Sequence, residues 1–138
     1  MKLTIEHLAP YLPYGLRVRY IDENNTAILI GITYIGNIIH GQLDFNGVLG
    51  LYEFNDFEPI LHPLSDLTKE IEHNGEKFVP IEVLDGYSSG WFGGDLVRKG
   101  RDIYETPYAS AQKLFEWHFD VFGLIEEGLA IDINTLKA

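Results

Sequence analysis

The first part of the chain alternates apolar and polar residues with the period of half-buried β-strands. Residues 16–21, LRVRYI, place leucine, valine and tyrosine on one face and two arginines on the other. The turn-forming run DENN follows at 22–25, and Thr26 to Thr33 is typical of a returning strand. The pattern therefore predicts an antiparallel hairpin.

Two further β-rich runs, Tyr34 to His40 and Val48 to Phe54, are separated by a stretch rich in turn residues at Gly41 to Gly47. Glycines recur inside or beside these runs, at positions 31, 36, 41, 47 and 50. Glycine within a strand is typical of bulges and tight bends, which curl a small sheet. We expect residues 16–54 to form a curled antiparallel sheet or a small SH3-like or open barrel.

Helical signals occur at the start, in the middle and near the end of the chain. Thr4 can cap a short N-terminal helix, which Pro10 and Pro13 limit. Apolar residues at 64, 67 and 71 predict a short middle helix that the Asn-Gly pair at 74–75 ends. A longer C-terminal helix is predicted from the Thr-Pro pair at 106–107 to Phe122, with Gly123 following it.

Two more strands complete the prediction. Phe78 to Leu84 is expected to be a strand, and Pro80 places it at a sheet edge or a bulge. Alternation at residues 129–134 predicts a final short strand. The 138 residues are predicted to form a single domain, 1–138, of the α+β class.

Charge narrows the classes of partner. The chain has 21 acidic and 10 basic residues, a formal net charge of −11, which repels nucleic acid and anionic membrane surfaces. General nucleic-acid binding and membrane binding are therefore not expected. A cationic partner would be attracted instead, although an acidic surface also serves solubility alone.

The N-terminus and the absence of cysteine bear on compartment and chemistry. MKLTIEHLAPYLPYG has one lysine and no apolar run followed by a cleavage site, so it does not resemble a secretory signal. We expect the protein in the cytoplasm. Without cysteine there is no disulfide, thiolate metal site or cysteine nucleophile.

No catalytic motif stands out. The five histidines, at 7, 40, 62, 73 and 118, have no recognised metal-ligand spacing, and no serine lies in a nucleophile motif. We expect no catalytic residues, no metal and no cofactor, and His118 is interpreted as a structural residue beside Trp117. A metal-dependent hydrolase assembled from scattered histidines and carboxylates is a third hypothesis, after the two binding hypotheses below.

The segment Gly86–Arg101, GYSSGWFGGDLVRKGR, is chemically distinct from the rest of the chain. Its aromatic and basic residues can stack on a ring and clamp an anion, and its glycines let backbone N–H groups approach a phosphate. The candidate ligand-binding residues are Tyr87, Trp91, Phe92, Arg98, Lys99 and Arg101. Two alternatives are a mobile connection and an arm that binds a partner or exchanges between subunits of a homo-oligomer.

Three stretches resemble uncharacterised small proteins encoded by phages and mobile elements of gut bacteria. They are LAPYLPYGL at 8–16, PILHPLSDLTKEIEHNGEKFVPIE at 59–82 and KLFEWHFDVFGLIEEGLAIDINTL at 113–136. The resemblance implies no activity and no catalytic residue. It implies a phage-type accessory protein that acts on host machinery or on host defence.

Two function hypotheses follow. In the first, the protein is a non-enzymatic accessory protein, a counter-defence protein in this context, that binds a small anionic aromatic ligand such as a nucleotide signal through residues 86–101. In the second, it is an acidic interaction protein or DNA mimic whose carboxylates occupy the basic surface of a host protein.

A thermal-shift screen separates these hypotheses. If residues 86–101 bind a nucleotide or cyclic nucleotide, the ligand raises the Tm, because binding to the native state stabilises it. The shift is expected to be lost in the double variant Arg98→Ala/Arg101→Ala. No shift with any nucleotide would argue for the second hypothesis, which predicts instead a salt-sensitive complex with a cationic protein.

Overall fold

The computed structural model describes residues 2–21, 25–88 and 108–136. Helix α1 (Ile5–Leu8) is short, as predicted, but the chain continues as a 3-10 helix at Ala9–Tyr14, which contains both of the prolines expected to end the helix. The Thr4 N–H donates to Nδ1 of His7 at 3.1 Å. Gly15, with φ of 64°, then turns the chain into the sheet.

Six strands form one sheet in the order β4-β3-β2-β1-β5-β8. Their bounds are β1 Arg17–Tyr20, β2 Asn25–Ile35, β3 Ile38–Phe45, β4 Val48–Glu53, β5 Phe57–Leu61 and β8 Ile131–Asp132. All neighbours pair antiparallel except β8, which runs parallel to β5. The α+β class and the antiparallel sheet are thus confirmed. The sheet is mixed, however, and it is not closed into a barrel.

The sheet curls strongly although it stays open. A bulge between Leu29 and Gly31 shifts the register of β2 against β3. Across the concave face, the rings of Tyr20 in β1 and Tyr52 in β4 lie 5.0 Å apart between centroids. Phe45 packs edge-on against both rings. The predicted curl is therefore present without closure.

Two predicted strand boundaries are wrong. The expected strand Tyr34 to His40 is divided by a turn at Gly36–Asn37, where Gly36 has a φ of 63°. The stretch Gly41 to Gly47, expected to separate strands, is mostly strand β3. Its true turn is Asn46–Gly47, whose φ angles of 53° and 92° suit the twist of a two-residue hairpin.

The middle of the chain also differs from its prediction. The expected helix ends early, as a 3-10 helix at Leu64–Thr68, because the Asn-Gly pair at 74–75 closes a hairpin of β6 (Ile71–His73) and β7 (Glu76–Phe78). The φ angles of Asn74 and Gly75 are 53° and 83°, as that turn requires. The predicted strand Phe78 to Leu84 is wrong as well. Pro80 begins helix α2 (Pro80–Ser88), since proline suits the first helical position.

Helix α3 spans Tyr108–Glu116, so it ends six residues before the predicted Phe122. It ends because His118 adopts a left-handed conformation, with φ of 62°. The Phe119 N–H donates to the Leu114 carbonyl at 2.9 Å and the His118 N–H to the Phe115 carbonyl at 3.1 Å. This pair of bonds is the Schellman motif, with histidine at the position usually taken by glycine. The predicted final strand is β8, followed by a short helix α4 (Ile133–Leu136).

Two groups of buried side chains hold these elements together. The first lies against the concave face of the sheet and includes Leu8 and Tyr11 from the N-terminal helices with Leu29, Leu43 and Phe57 from the strands. The second joins the elements beyond β5 through Leu67, Leu84, Leu114, Trp117 and Phe119. Both groups contain side chains with no exposed surface, as expected for cores packed to native density.

Gly41 of β3 offers a test of the first core. A Cβ atom there would lie 2.7 Å from Cζ of Phe57, a ring that is almost fully buried. Gly41→Ala should therefore lower the free energy of unfolding by about 1–3 kcal/mol, measured by urea denaturation. Phe57→Leu makes space for the methyl group, so the two substitutions should cost less together than the sum of their separate costs. Additive costs would contradict this contact.

Candidate functional site

Most of the sequence-predicted binding residues lie outside the described part of the chain. Trp91, Phe92, Arg98, Lys99 and Arg101 fall in 89–107, outside the residues that the structure describes. Tyr87 falls in the last turn of α2 by its backbone. Helices α2 and α3, which precede and follow this segment, contact each other. The predicted ligand site therefore stays a prediction.

Within the described residues, a cleft of about 420 Å³ lies where distant parts of the chain meet. Its floor is apolar and contains Leu3, Ile39, Phe54, Phe57 and Leu129. Phe54 and Phe57 are buried and pack edge-to-face, with centroids 5.7 Å apart. A volume of this size and an apolar lining are typical of sites that receive a small molecule or one large side chain.

The rim of the cleft is polar and mostly acidic. Glu53 and Asn55, both exposed, come from the end of β4 and the connection that follows, and Lys2 faces them from the N-terminal segment. The carboxylate of Glu58 in β5 lies 3.6 Å from the Arg19 guanidinium of β1. Because Arg19 partly neutralises Glu58, Glu53 is the carboxylate best placed to meet a positive charge on a ligand.

Exposed apolar side chains border this cleft. Ile21 and Ile38 line it and are 45% and 51% exposed. Ile35 is paired with Ile38 in the β2–β3 register and is also exposed, as is Tyr34 beside it. Contiguous exposed apolar side chains around a pocket, with polar residues at the edge, are typical of surfaces that bind another protein.

A second, smaller pocket of about 250 Å³ contains a buried polar group that has a structural explanation. The Asn134 side-chain amide donates to Oδ2 of Asp66 at 2.9 Å, and the same oxygen lies 3.7 Å from Nδ1 of His62. Lys69 lies 3.6 Å from the other oxygen. These contacts tie α4 to the 3-10 helix at Leu64–Thr68, so Asp66 joins elements of the fold.

His118 is also structural, as expected from its position beside Trp117. Its Nε2 lies 2.8 Å from the Tyr14 carbonyl, and its ring meets His73 edge-on at 4.9 Å between centroids. Burial lowers the pKa of His118 to about 4, and the neighbouring His73, His62 and Arg17 act in the same direction. The contact with the Tyr14 carbonyl opposes this shift. His118 is therefore neutral at pH 7.

Asp120, two residues further on, accepts backbone hydrogen bonds from Leu124 at 2.7 Å and Ile125 at 2.9 Å. Burial raises the pKa of this carboxyl group, although these bonds oppose the rise. The hydroxyl of Tyr11 donates to the Phe119 carbonyl, and burial raises the pKa of that phenol. The Tyr11 hydroxyl thus stabilises the turn at 117–120 and the Asp120 carboxylate stabilises residues 120–125, both through contacts with the backbone.

The described part of the chain holds no group of three or more histidine, aspartate or glutamate side chains placed to bind a metal ion. None of its helices is long and apolar enough to cross a membrane. In the comparisons with known proteins, no family model matches the chain, and neither the curated proteins nor the solved structures include a match.

The pKa of His118 predicts a loss of stability in acid. The unfolded chain, with a histidine pKa of 6.5, binds a proton that the folded protein takes up only near pH 4. Above about pH 6.5, His118 therefore does not reduce the free energy of unfolding. As the pH drops to 4, its protonation in the unfolded chain lowers that free energy by up to about 3 kcal/mol. The lowered pKa of His73 acts in the same direction, and the raised pKa of Asp120, which favours the folded state in acid, partly offsets it.

His118→Asn isolates this contribution, since asparagine tolerates a left-handed backbone and does not titrate. Urea denaturation at pH 7 and at pH 4.5 should show a smaller acid-induced loss in the variant than in the unmodified protein. Equal losses in the two proteins would show that His118 does not carry the effect.

Proposed function

We propose that the protein is a non-enzymatic interaction protein that binds a cationic protein, with the cleft receiving an apolar side chain of that partner. The observation that supports this most directly is the combination of an apolar floor at Phe54 and Phe57 with the exposed carboxylate of Glu53 at the rim. An anchor residue in a pocket, surrounded by complementary charge, is the usual arrangement of a protein interface.

Charge favours a basic partner over an anionic ligand in this cleft. The net charge of −11 attracts cations over long distances, and the exposed carboxylate of Glu53 lies at the rim. Binding of this kind is expected to weaken as salt is added, because the rim charges are exposed and screened. The resemblance to phage-encoded proteins favours a host protein as the partner and a counter-defence role.

A second proposal concerns residues 86–101, which would bind a small anionic aromatic ligand. It is supported by the sequence, in which three of the ten basic residues, Arg98, Lys99 and Arg101, fall within four positions, shortly after Trp91 and Phe92. The two proposals concern different residues. Nucleotides should stabilise the protein if the second holds, whereas a basic peptide should occupy the cleft if the first holds.

The test of the first proposal uses two amidated tripeptides as probes, Arg-Trp-Arg and Glu-Trp-Glu. In NMR titrations, the basic peptide should shift the amide signals of residues lining the cleft, and the acidic peptide should not, because only the basic peptide complements Glu53. Shifts with both peptides would show that the apolar floor binds the tryptophan side chain without selection by the charge of the rim, which would contradict the preference for a basic partner. Absence of shifts at the cleft with the basic peptide would count against the proposal.

Glu53→Gln should weaken binding of the basic peptide by about twofold to fivefold at low salt, the usual effect of one exposed charge. Glu82→Gln changes the net charge equally at an exposed site on α2 and is the matched control. It should leave binding almost unchanged. Equal effects of the two substitutions would show that net charge, and not the rim of the cleft, governs the interaction.

A further inference from the structure

Strand β4 is a sheet edge without the features that normally prevent association. It is the end strand of the six-stranded sheet, and no strand of the described residues pairs with its second edge. Its sequence, VLGLYE, contains no lysine or proline, and its pairing with β3 runs without a bulge. Edge strands of natural proteins usually carry charges, prolines or bulges that block further pairing.

Except for Glu53 at its end, the exposed side chains of β4 are apolar, and they lie on both faces of the sheet. Val48, Leu49 and Leu51 are 70%, 57% and 46% exposed. Val48 lies opposite Phe45 on the concave face, where the ring cluster of Tyr20, Phe45 and Tyr52 ends. The apolar layer of the sheet therefore stops at β4 without a cover among the described residues.

The hairpin geometry shows which backbone groups face outward. Phe45 and Val48 close the two-residue turn, so they form a hydrogen-bonded pair, and such pairs alternate along an antiparallel ladder. Gly50 and Tyr52 then also bond to β3. The N–H and C=O groups of Leu49 and Leu51 point to the open edge, as does the N–H of Glu53. The carbonyl of Glu53 already accepts from the Asp56 N–H at 2.9 Å.

We propose that β4 pairs antiparallel with β4 of a second copy of this chain, about a twofold axis at Gly50. In this register Leu49 lies opposite Leu51 of the second copy, and the two residues exchange hydrogen bonds through the groups that face the edge. By symmetry the same contact forms on the other side of the axis. The two sheets would then become one continuous sheet.

This register is self-complementary for the side chains as well. Val48 lies opposite Tyr52 of the second copy, which extends the ring cluster of the concave face, and leucine meets leucine on the other face. Glu53, the one charged residue of β4, lies opposite Gly47 of the second copy, whose N–H donates to the Asp44 carboxylate at 2.6 Å, so this end of the strand brings two acidic side chains near each other. Away from that end, a second copy pairs the outward-facing backbone groups of Leu49 and Leu51 and covers the apolar side chains of the strand.

Salt dependence distinguishes this dimer from the cationic complex proposed above, on which it does not depend. Each copy carries −11, so the copies repel each other and added salt should strengthen the dimer by screening that repulsion. The complex with a basic partner should instead weaken in salt. An apolar interface between like-charged proteins is therefore identified by a dimer Kd that decreases as salt is added.

The test is sedimentation equilibrium of the full chain over a range of concentrations up to about 1 mM, at low and at high salt. The expected result is a reversible monomer–dimer equilibrium, between 15.7 kDa and twice that mass, that shifts toward dimer in salt. Leu51→Lys should raise the dimer Kd about tenfold or more, because it places a charge at the pairing edge. Ile5→Lys, at a residue 40% exposed on α1, is the control and should leave the Kd unchanged.

Circular dichroism and the Tm establish that Leu51→Lys remains folded, which is expected for a side chain on an exposed strand face. A chain that stays monomeric at every concentration and salt would overturn the proposal. So would a dimer that weakens in salt, or one whose Kd responds equally to Leu51→Lys and Ile5→Lys.

Discussion

The fold depends on the backbone pairing between His62 and the turn that ends helix α3. The His62 N–H donates to the His118 carbonyl at 2.8 Å, and its carbonyl accepts from the Asp120 N–H at 2.9 Å. These two bonds continue the line of β5 beyond its last residue and attach the sheet to the C-terminal half of the chain. Since Phe119 between them has no exposed surface, the attachment is also packed.

The same turn binds the N-terminal helices. The Tyr11 hydroxyl donates to the Phe119 carbonyl, and His118 contacts the Tyr14 carbonyl. Two separate regions of the chain, the end of β5 and the N-terminal helices, therefore converge on four residues, 117–120, where His118 holds a left-handed backbone. The polar side chains that are buried here serve the fold, and among the described residues the apolar cleft and the open edge of the sheet are the surfaces proposed for binding.

Local chemistry made part of this fold predictable. Period-two alternation identified β1 and the start of β2, and Thr4 with the following prolines identified the short first helix. The errors came where two local signals competed. The Asn-Gly pair at 74–75 can end a helix or close a hairpin, and Pro80 can interrupt a strand or begin a helix. Strand β5, FEPIL, was missed because it is buried on both faces and shows no alternation.

The candidate cleft could not be found in the sequence, because its lining comes from four separated segments. Leu3, Ile39, Phe57 and Leu129 meet only after the sheet has curled, and no spacing along the chain marks them as neighbours. Residues 86–101 are the opposite case. Their basic and aromatic composition stands out in the sequence, but most of them lie outside the described residues. Composition can suggest what a segment binds, whereas a pocket needs the long-range contacts of the fold.

The parallel pairing of β8 with β5 sets an order of events during synthesis. Ile60 and Leu61 find their partners, Ile131 and Asp132, about 70 residues later in the chain. A hairpin such as β3–β4 can close as soon as it leaves the ribosome, but one flank of β5 must wait for the final strand. Until β8 has been synthesised, that flank of an apolar strand is open to pairing with other chains.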